Sequence, residues 1–267
     1  MLSTIRSVCV TCILLAAHAG PLAAGDDGTW DYWVRVQASA AYLTLAGETS
    51  YTARGVPGTA VEVSDLGLDS GAVAPGLELG LTTPLLSFHG FLAGSQWTLE
   101  ETTTLGSAVQ FGGRSFAAST QVRSELTISD AYAEICWGPI ELDIAGFAVG
   151  LAVHRLGLQA TLSGGGQSAS FDEVAYLPTL ALRAYVAPID MLEAEAMVHG
   201  LSVPLGEVAS ATFASAQAQL SFYPIDFIGA FVGYRYTLAE VEFEYRSTAI
   251  DASLTLSGPF AGIAAQF

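Results

Sequence analysis

Apolar and polar residues alternate one by one along several short segments, and this alternation restricts the possible folds more than any other feature. From residue 214 to 222 the even positions are alanine, leucine or phenylalanine, and the odd positions between them are serine or glutamine. Residues 192–201 and 228–238 sort in the same way. Successive side chains of a strand point to opposite faces, whereas a helix would scatter these rows around its axis. The pattern therefore predicts an all-β protein.

The apolar segments are too short to be membrane helices, although the chain as a whole is unusually apolar. Hydrophobic residues make up 51% of the sequence and charged residues 13%, and the mean hydropathy is +0.46. A membrane helix needs about 20 apolar residues, whereas a strand of a membrane barrel needs about 10 that alternate. We therefore predict a single antiparallel transmembrane up-and-down β-barrel over residues 25–267.

The first 24 residues have the organisation of a cleaved signal peptide. Arg6 precedes the apolar run of residues 8–17, and small residues follow it at Ala19 and Ala24. The alternative is a membrane anchor, but about 20 residues would be needed to span a bilayer. Removal of residues 1–24 leaves Cys136 as the only cysteine, so we expect no internal disulfide.

Four proline-containing segments divide the chain at regular intervals, at residues 83–86, 138–141, 187–190 and 223–226. Proline cannot donate to a strand ladder, which predicts that these segments are short periplasmic turns. Segments rich in Gly, Ser, Thr and acidic residues alternate with them and are predicted to be extracellular loops, at roughly 47–70, 100–113, 163–167, 204–207 and 240–247. Five such hairpins give about ten strands, and an extra strand in each of the first two loops would give about twelve.

The last ten residues alternate in the same manner and end on Phe267, with Ile263 and Ala265 on its face. With the signal peptide and the turns, this ending resembles the small porin-like outer-membrane β-barrels of Gram-negative-type bacteria, the OmpA- and OmpW-like group. The resemblance covers the mature chain. It implies residence in the outer membrane, contact with its lipid, and insertion by the barrel-assembly machinery and periplasmic chaperones. It also implies that Phe267 is part of the assembly signal.

Charged and amide side chains fall on the inward rows of several predicted strands. Unpaired charges in a narrow lumen are costly, so we expect arginines and glutamates to pair there, with Arg183 opposite Glu195. The predicted lumen network is Glu78, Arg183, Glu195, His199, Gln217 and Arg235. Its arrangement is interpreted either as a charged constriction of a narrow pore or as a salt-bridged plug.

The chain is strongly acidic, with a formal net charge of −17 and no lysine. Such a balance argues against binding to nucleic acid, which requires a basic surface. Acidic residues of the predicted loops could attract small cations or divalent ions, or simply be solvated. No ligand spacing for a metal and no cofactor motif is present, so no metal or cofactor is predicted.

These observations predict a structural or surface protein of the outer membrane, or a narrow cation-preferring pore. An alternative is a lipid-modifying enzyme at the rim that uses His154 or His199. No nucleophile-elbow motif accompanies these histidines, so no enzyme is expected. A soluble lipocalin-like barrel is a third possibility, and it would place its apolar rows inside.

Overall fold

The computed structural model describes residues 32–267 apart from 53–56, 84–86, 143, 190, 205–208 and 246–247. The predicted signal peptide lies outside the described residues. No helix of the described part is long and apolar enough to cross a membrane. The elements are, in chain order, β1 (Val34–Thr52), β2 (Val61–Glu62), the 3-10 helix η1 (Val63–Leu66), β3 (Ala72–Thr83), β4 (Phe88–Thr104), β5 (Val109–Phe111), β6 (Arg114–Phe116), β7 (Gln121–Leu142), β8 (Ala145–Gly164), β9 (Gln167–Ile189), β10 (Leu192–Pro204), β11 (Ala209–Ile225), β12 (Ile228–Tyr245) and β13 (Thr248–Gln266).

Ten of these strands form one closed antiparallel barrel, as the sequence predicts. Each long strand pairs with the next one along the chain, and β13 pairs with β1 to close the ring. At the closure Val36 faces Ala265. The amide of Phe267 donates to the carbonyl oxygen of Val34 at 2.9 Å, and the amide of Trp33 donates to the carbonyl oxygen of Phe267 at 2.7 Å. The last residue therefore completes the ladder beside the start of β1.

The start of β1, the last residue Phe267 and the short connections share one end of the barrel, which we call the turn end. The prolines of this end are not in the turns themselves, which corrects the prediction. Pro139, Pro188 and Pro224 lie in the last residues of β7, β9 and β11, and the pairing register shifts beside each of them. Proline is tolerated at such bulges because no ladder hydrogen bond is required there. The fourth predicted turn, at residues 84–86, lies outside the described residues.

The opposite end, the loop end, holds the longer connections only between β1 and β7. The first loop contains β2, which pairs with the end of β1, and η1; the second contains the separate hairpin β5–β6, and none of these short strands adds to the ten that close the barrel. The third loop, predicted over residues 163–167 as one of the longer connections, is shorter than expected. Strands β8 and β9 are joined by Gly165 and Gly166 alone, whose φ angles of 57° and 76° suit a tight hairpin turn.

The outer wall is apolar near the turn end and polar near the loop end. In β7 the outward side chains Ile135 and Trp137 are 59% and 50% exposed, whereas Arg123 and Glu125 point outward further along the same strand. The neighbouring strand β8 repeats this order, because Leu151 points outward nearer the turn end and Gln159 points outward nearer the loop end. A lipid-facing belt followed by a water-facing wall means that the barrel projects beyond the membrane at its loop end.

The interior shows the opposite distribution. Inward residues near the turn end include the buried charged side chains, as predicted from the alternation, together with apolar ones such as Phe91 and Ala148. Near the loop end the inward residues are apolar, among them Leu43 and Leu45 of β1. They pack with Leu66 of the first loop, and with Val109 and Phe116 of the second, into a cluster that we call the apolar plug. The prediction of polar inward rows therefore holds for only one half of the barrel.

Candidate functional site

The candidate site is a layer of charged side chains that crosses the lumen between the turn end and the apolar plug. Arg183, on β9, is its centre and is 2% exposed. Its Nε and Nη2 atoms donate to both carboxylate oxygens of Glu134 at 2.8 and 2.9 Å, and its Nη1 donates to Glu195 at 2.8 Å. The guanidinium also lies 3.5 Å from the ring centroid of Phe91. Such a bidentate and stacked geometry suits arginine and not lysine.

A second arginine joins this layer from the far side of the barrel. Arg35 of β1 donates to Glu193 at 2.8 Å and to Glu195 at 2.7 Å, both on β10. Three strands separate β1 from β10 around the ring, so these bonds cross the lumen. Glu195 thus bridges Arg35 and Arg183 and links the two sides.

A chain of two histidines extends the layer toward the loop end. His154 Nδ1 lies 3.0 Å from Asp130, its Nε2 lies 2.8 Å from Nδ1 of His199, and His199 Nε2 lies 2.9 Å from Glu134. Which atom donates at each contact depends on the tautomers of the two rings. The two imidazoles thus connect Asp130 to Glu134 through a continuous row of polar contacts.

The other predicted members lie beside this layer. Glu78 accepts a hydrogen bond from Tyr132 at 2.6 Å and lies 3.7 Å from Arg183. Arg235 donates twice to Gln217, at 2.8 and 3.0 Å, and has no described contact with the acidic members. A polar cavity of about 30 Å³ separates the two groups, which is room for one or two water molecules.

The expected pairing of Arg183 with Glu195 is correct for the side chains but not for the backbone. Arg183 faces Met197 in the ladder, and Glu195 faces Tyr185. The two charged side chains still meet because diagonal neighbours on one face of a sheet are within reach of long side chains. The offset also frees Glu195 to contact Arg35.

Sequence reasoning missed four members of the layer: Arg35, Tyr132, Glu134 and Glu193. The alternation contained a signal for Glu134, since it shares the inward parity of Tyr132 and Cys136 on β7. Cys136 is buried and donates to Glu134. The alternation does not show which inward residues meet across the lumen, because that depends on the register of all ten strands.

His154 and His199, the residues proposed for a rim enzyme, are 1% and 0% exposed and lie deep in the lumen instead of at the rim. Each is bonded to a carboxylate, and the apolar plug covers the lumen above them. The layer buries its charges but pairs them, which is the condition under which buried charges are tolerated.

The acidic loop residues do not form a compact ligand cluster. Glu48, Glu62 and Asp69 line an open depression at the loop end. Glu100 is instead paired with Arg123 at 2.7 Å. Within the described residues no group of three or more His, Cys, Asp or Glu side chains is placed to hold a metal ion.

Comparison with known proteins identifies the fold. No family model matches the chain, and no curated protein matches it. The outer-membrane protease OmpT from Escherichia coli superposes with a TM-score of 0.53 at 10% identity, over 94% of this chain and 99% of OmpT. The translocator domain of autotransporter NalP from Neisseria meningitidis gives 0.38 at 11% identity, over 99% and 98% of the two chains. Neisserial surface protein A gives 0.34 at 11% identity, over 88% and 97%. The chain therefore shares its closed barrel fold with OmpT, an outer-membrane protein, and its exposed apolar belt matches the lipid-facing surface of such a barrel.

Proposed function

We propose that the protein is a sealed outer-membrane barrel with a structural or surface role, and that it is neither an open pore nor an enzyme. The observation that supports this proposal is the presence of two layers of side chains across the lumen. Arg35 and Arg183 cross it with paired carboxylates, and the apolar plug occupies the space between this layer and the loop end. Of the two interpretations of the inward charges, a plug therefore fits better than a constriction.

The energetics of the charged layer support a permanent closure. Removing one partner of a buried ion pair costs about 3–5 kcal/mol because it leaves an uncompensated charge. An ion passing this layer would have to separate Arg183 from Glu134 and Glu195 at once. It would then meet a packed apolar cluster that offers no replacement for its hydration shell.

A surface role is supported by the height of the wall. Strand β9 has 23 residues and is about 75 Å long at about 3.3 Å per residue. Only about 9–11 residues of a tilted strand are needed to cross the hydrocarbon core. The remainder carries polar and acidic side chains on its outer face, including Asp172. The barrel thus acts as a rigid stalk that presents its loop end above the membrane.

Planar-bilayer recording tests the proposal against the pore alternative. Pure refolded protein is added to a bilayer, and its folded state is verified by heat-modifiable migration on a gel. We expect no unitary conductance, while an open porin inserted under the same conditions conducts. Reproducible current steps from the folded protein would overturn the proposal, and a cation preference of that current would establish the narrow pore instead.

A further inference from the structure

The apolar plug is not completely filled. It encloses a cavity of about 70 Å³, which we call the plug cavity. Its buried lining comes from the first loop, the second loop and three barrel strands, through Val61, Leu66, Val109, Leu126, Leu162 and Leu254. The plug cavity is therefore a space between elements that are distant in sequence and not a gap beneath one side chain.

The chemistry of this lining selects an apolar occupant. The buried side chains around the plug cavity are almost all aliphatic. Apolar cavities of this kind stay dry, and one of about 150 Å³ binds benzene or xenon. A cavity about half that size suits a xenon atom or a few carbons of an alkyl chain, because water would find too few hydrogen-bond partners there.

One side of the plug cavity is lined by aromatic side chains. Tyr51, Phe111 and Phe171 also line it, and each of these side chains is only partly buried. The Tyr51 ring contacts Phe111 and Phe171 edge to face, with centroids 5.7 and 5.1 Å apart. The positive φ angles of Gly112 and Gly113, 59° and 72°, form the tight turn that follows Phe111. We take these three partly buried rings as the entrance through which a ligand would reach the buried, mostly aliphatic side chains.

The height of this entrance excludes the bilayer as the direct source of a ligand. Strand β7 at this level points Arg123, Glu125 and Thr127 outward, beyond the lipid-facing belt. A molecule entering between the rings therefore comes from the aqueous side. We propose that the plug cavity is a binding site for a short alkyl chain, which inserts its methyl end among the leucines while the three aromatic rings cover the rest.

The first test uses xenon as a probe of the cavity itself. Crystals of the protein are pressurised with xenon, and anomalous scattering locates the atom. We expect a xenon peak between Leu126, Leu162 and Leu254. The variant Ala160→Leu projects a larger side chain into the cavity and should lose this peak, while Ala133→Leu, the same change on the outer wall, should keep it. Ordered water in the cavity, or no peak in the wild-type protein, would overturn the proposal.

The second test uses 1-pentanol and the methyl NMR signals of leucine and valine, with the protein in lipid nanodiscs. We expect saturable shifts at Leu126 and Leu162, and at least tenfold weaker binding in Ala160→Leu. Ala252→Val reduces the volume of the cavity with a side chain on β13, and it replaces Ala160→Leu in this test if that variant does not fold. Leu158→Ala enlarges it and should shift the preference toward longer alcohols. Shifts that rise linearly without saturation in the wild-type protein would refute an alkyl site.

Discussion

Replacement of Arg183 by leucine is the sharpest perturbation of the charged layer. The substitution removes two hydrogen bonds to Glu134, one to Glu195 and the stacking on Phe91. Glu134 keeps its contact with His199, and Glu195 keeps its hydrogen bond from Arg35, so neither carboxylate loses all of its partners. Breaking a buried pair by removing one partner costs about 3–5 kcal/mol. We expect the free energy of unfolding to fall by about that amount.

The assay is reversible urea unfolding of the protein in lipid vesicles, followed by tryptophan fluorescence. Arg123→Leu is the matched control, because Arg123 pairs with Glu100 at 2.7 Å but both side chains are more than half exposed. An exposed pair contributes about 0–1 kcal/mol. Adding Glu134→Leu to Arg183→Leu should recover part of the loss, since it removes the buried carboxylate that has lost its arginine partner. If Arg183→Leu stays within about 1 kcal/mol of the wild-type protein, the layer does not hold the barrel together in the manner described.

Three further predictions concern the turn between β8 and β9, the lipid-facing belt, and the terminal residue Phe267 at the closure of the barrel. Gly166→Ala should lower the free energy of unfolding by about 1–2 kcal/mol, because a φ of 76° disfavours a side chain even where open space surrounds it. Gly106 is equally open but has no such φ angle, so Gly106→Ala should leave stability unchanged. Equal effects of the two substitutions in urea unfolding would contradict this. Leu151→Arg should destabilise the barrel by about 2–4 kcal/mol in vesicles, while Gln159→Arg on the same strand should cost less than about 1 kcal/mol. Equal costs would mean that the belt is misplaced. Phe267→Ala keeps the backbone bonds to β1 but removes the terminal ring, so we expect less protein in the outer-membrane fraction of cells on immunoblots; unchanged levels would remove Phe267 from the assembly signal.

The alternation along single strands was sufficient to predict the barrel and the inward direction of Arg183, Glu195 and His199. Each of these assignments depends only on parity, which is a local property of the chain. The contact of Arg35 with Glu195 was beyond this reasoning, because it joins strands that are separated by three others around the ring. Such a distance depends on strand tilt and stagger, which the local pattern does not contain.

The apolar plug could have been predicted in part. Along β7 the apolar residues occupy even positions at Leu126 and Ile128 and odd positions at Ile135 and Trp137. The pairing with β8 runs without a register shift between these sites, so the same parity faces inward throughout. A change of apolar parity within a continuous strand therefore marks the level at which the wall leaves the lipid. Interpreting every apolar row as lipid-facing overlooked this signal.

The reactivity of Cys136 tests the sealed lumen most directly. Its side chain is 1% exposed and lies in the charged layer beside Glu134. A charged, membrane-impermeant thiol reagent is applied to the folded protein carrying Cys136 as its only cysteine, and the modified fraction is followed by mass spectrometry. A sealed lumen predicts no modification until the protein is unfolded in urea. Modification of the folded barrel within minutes would show that water and ions reach the layer, and would contradict the account.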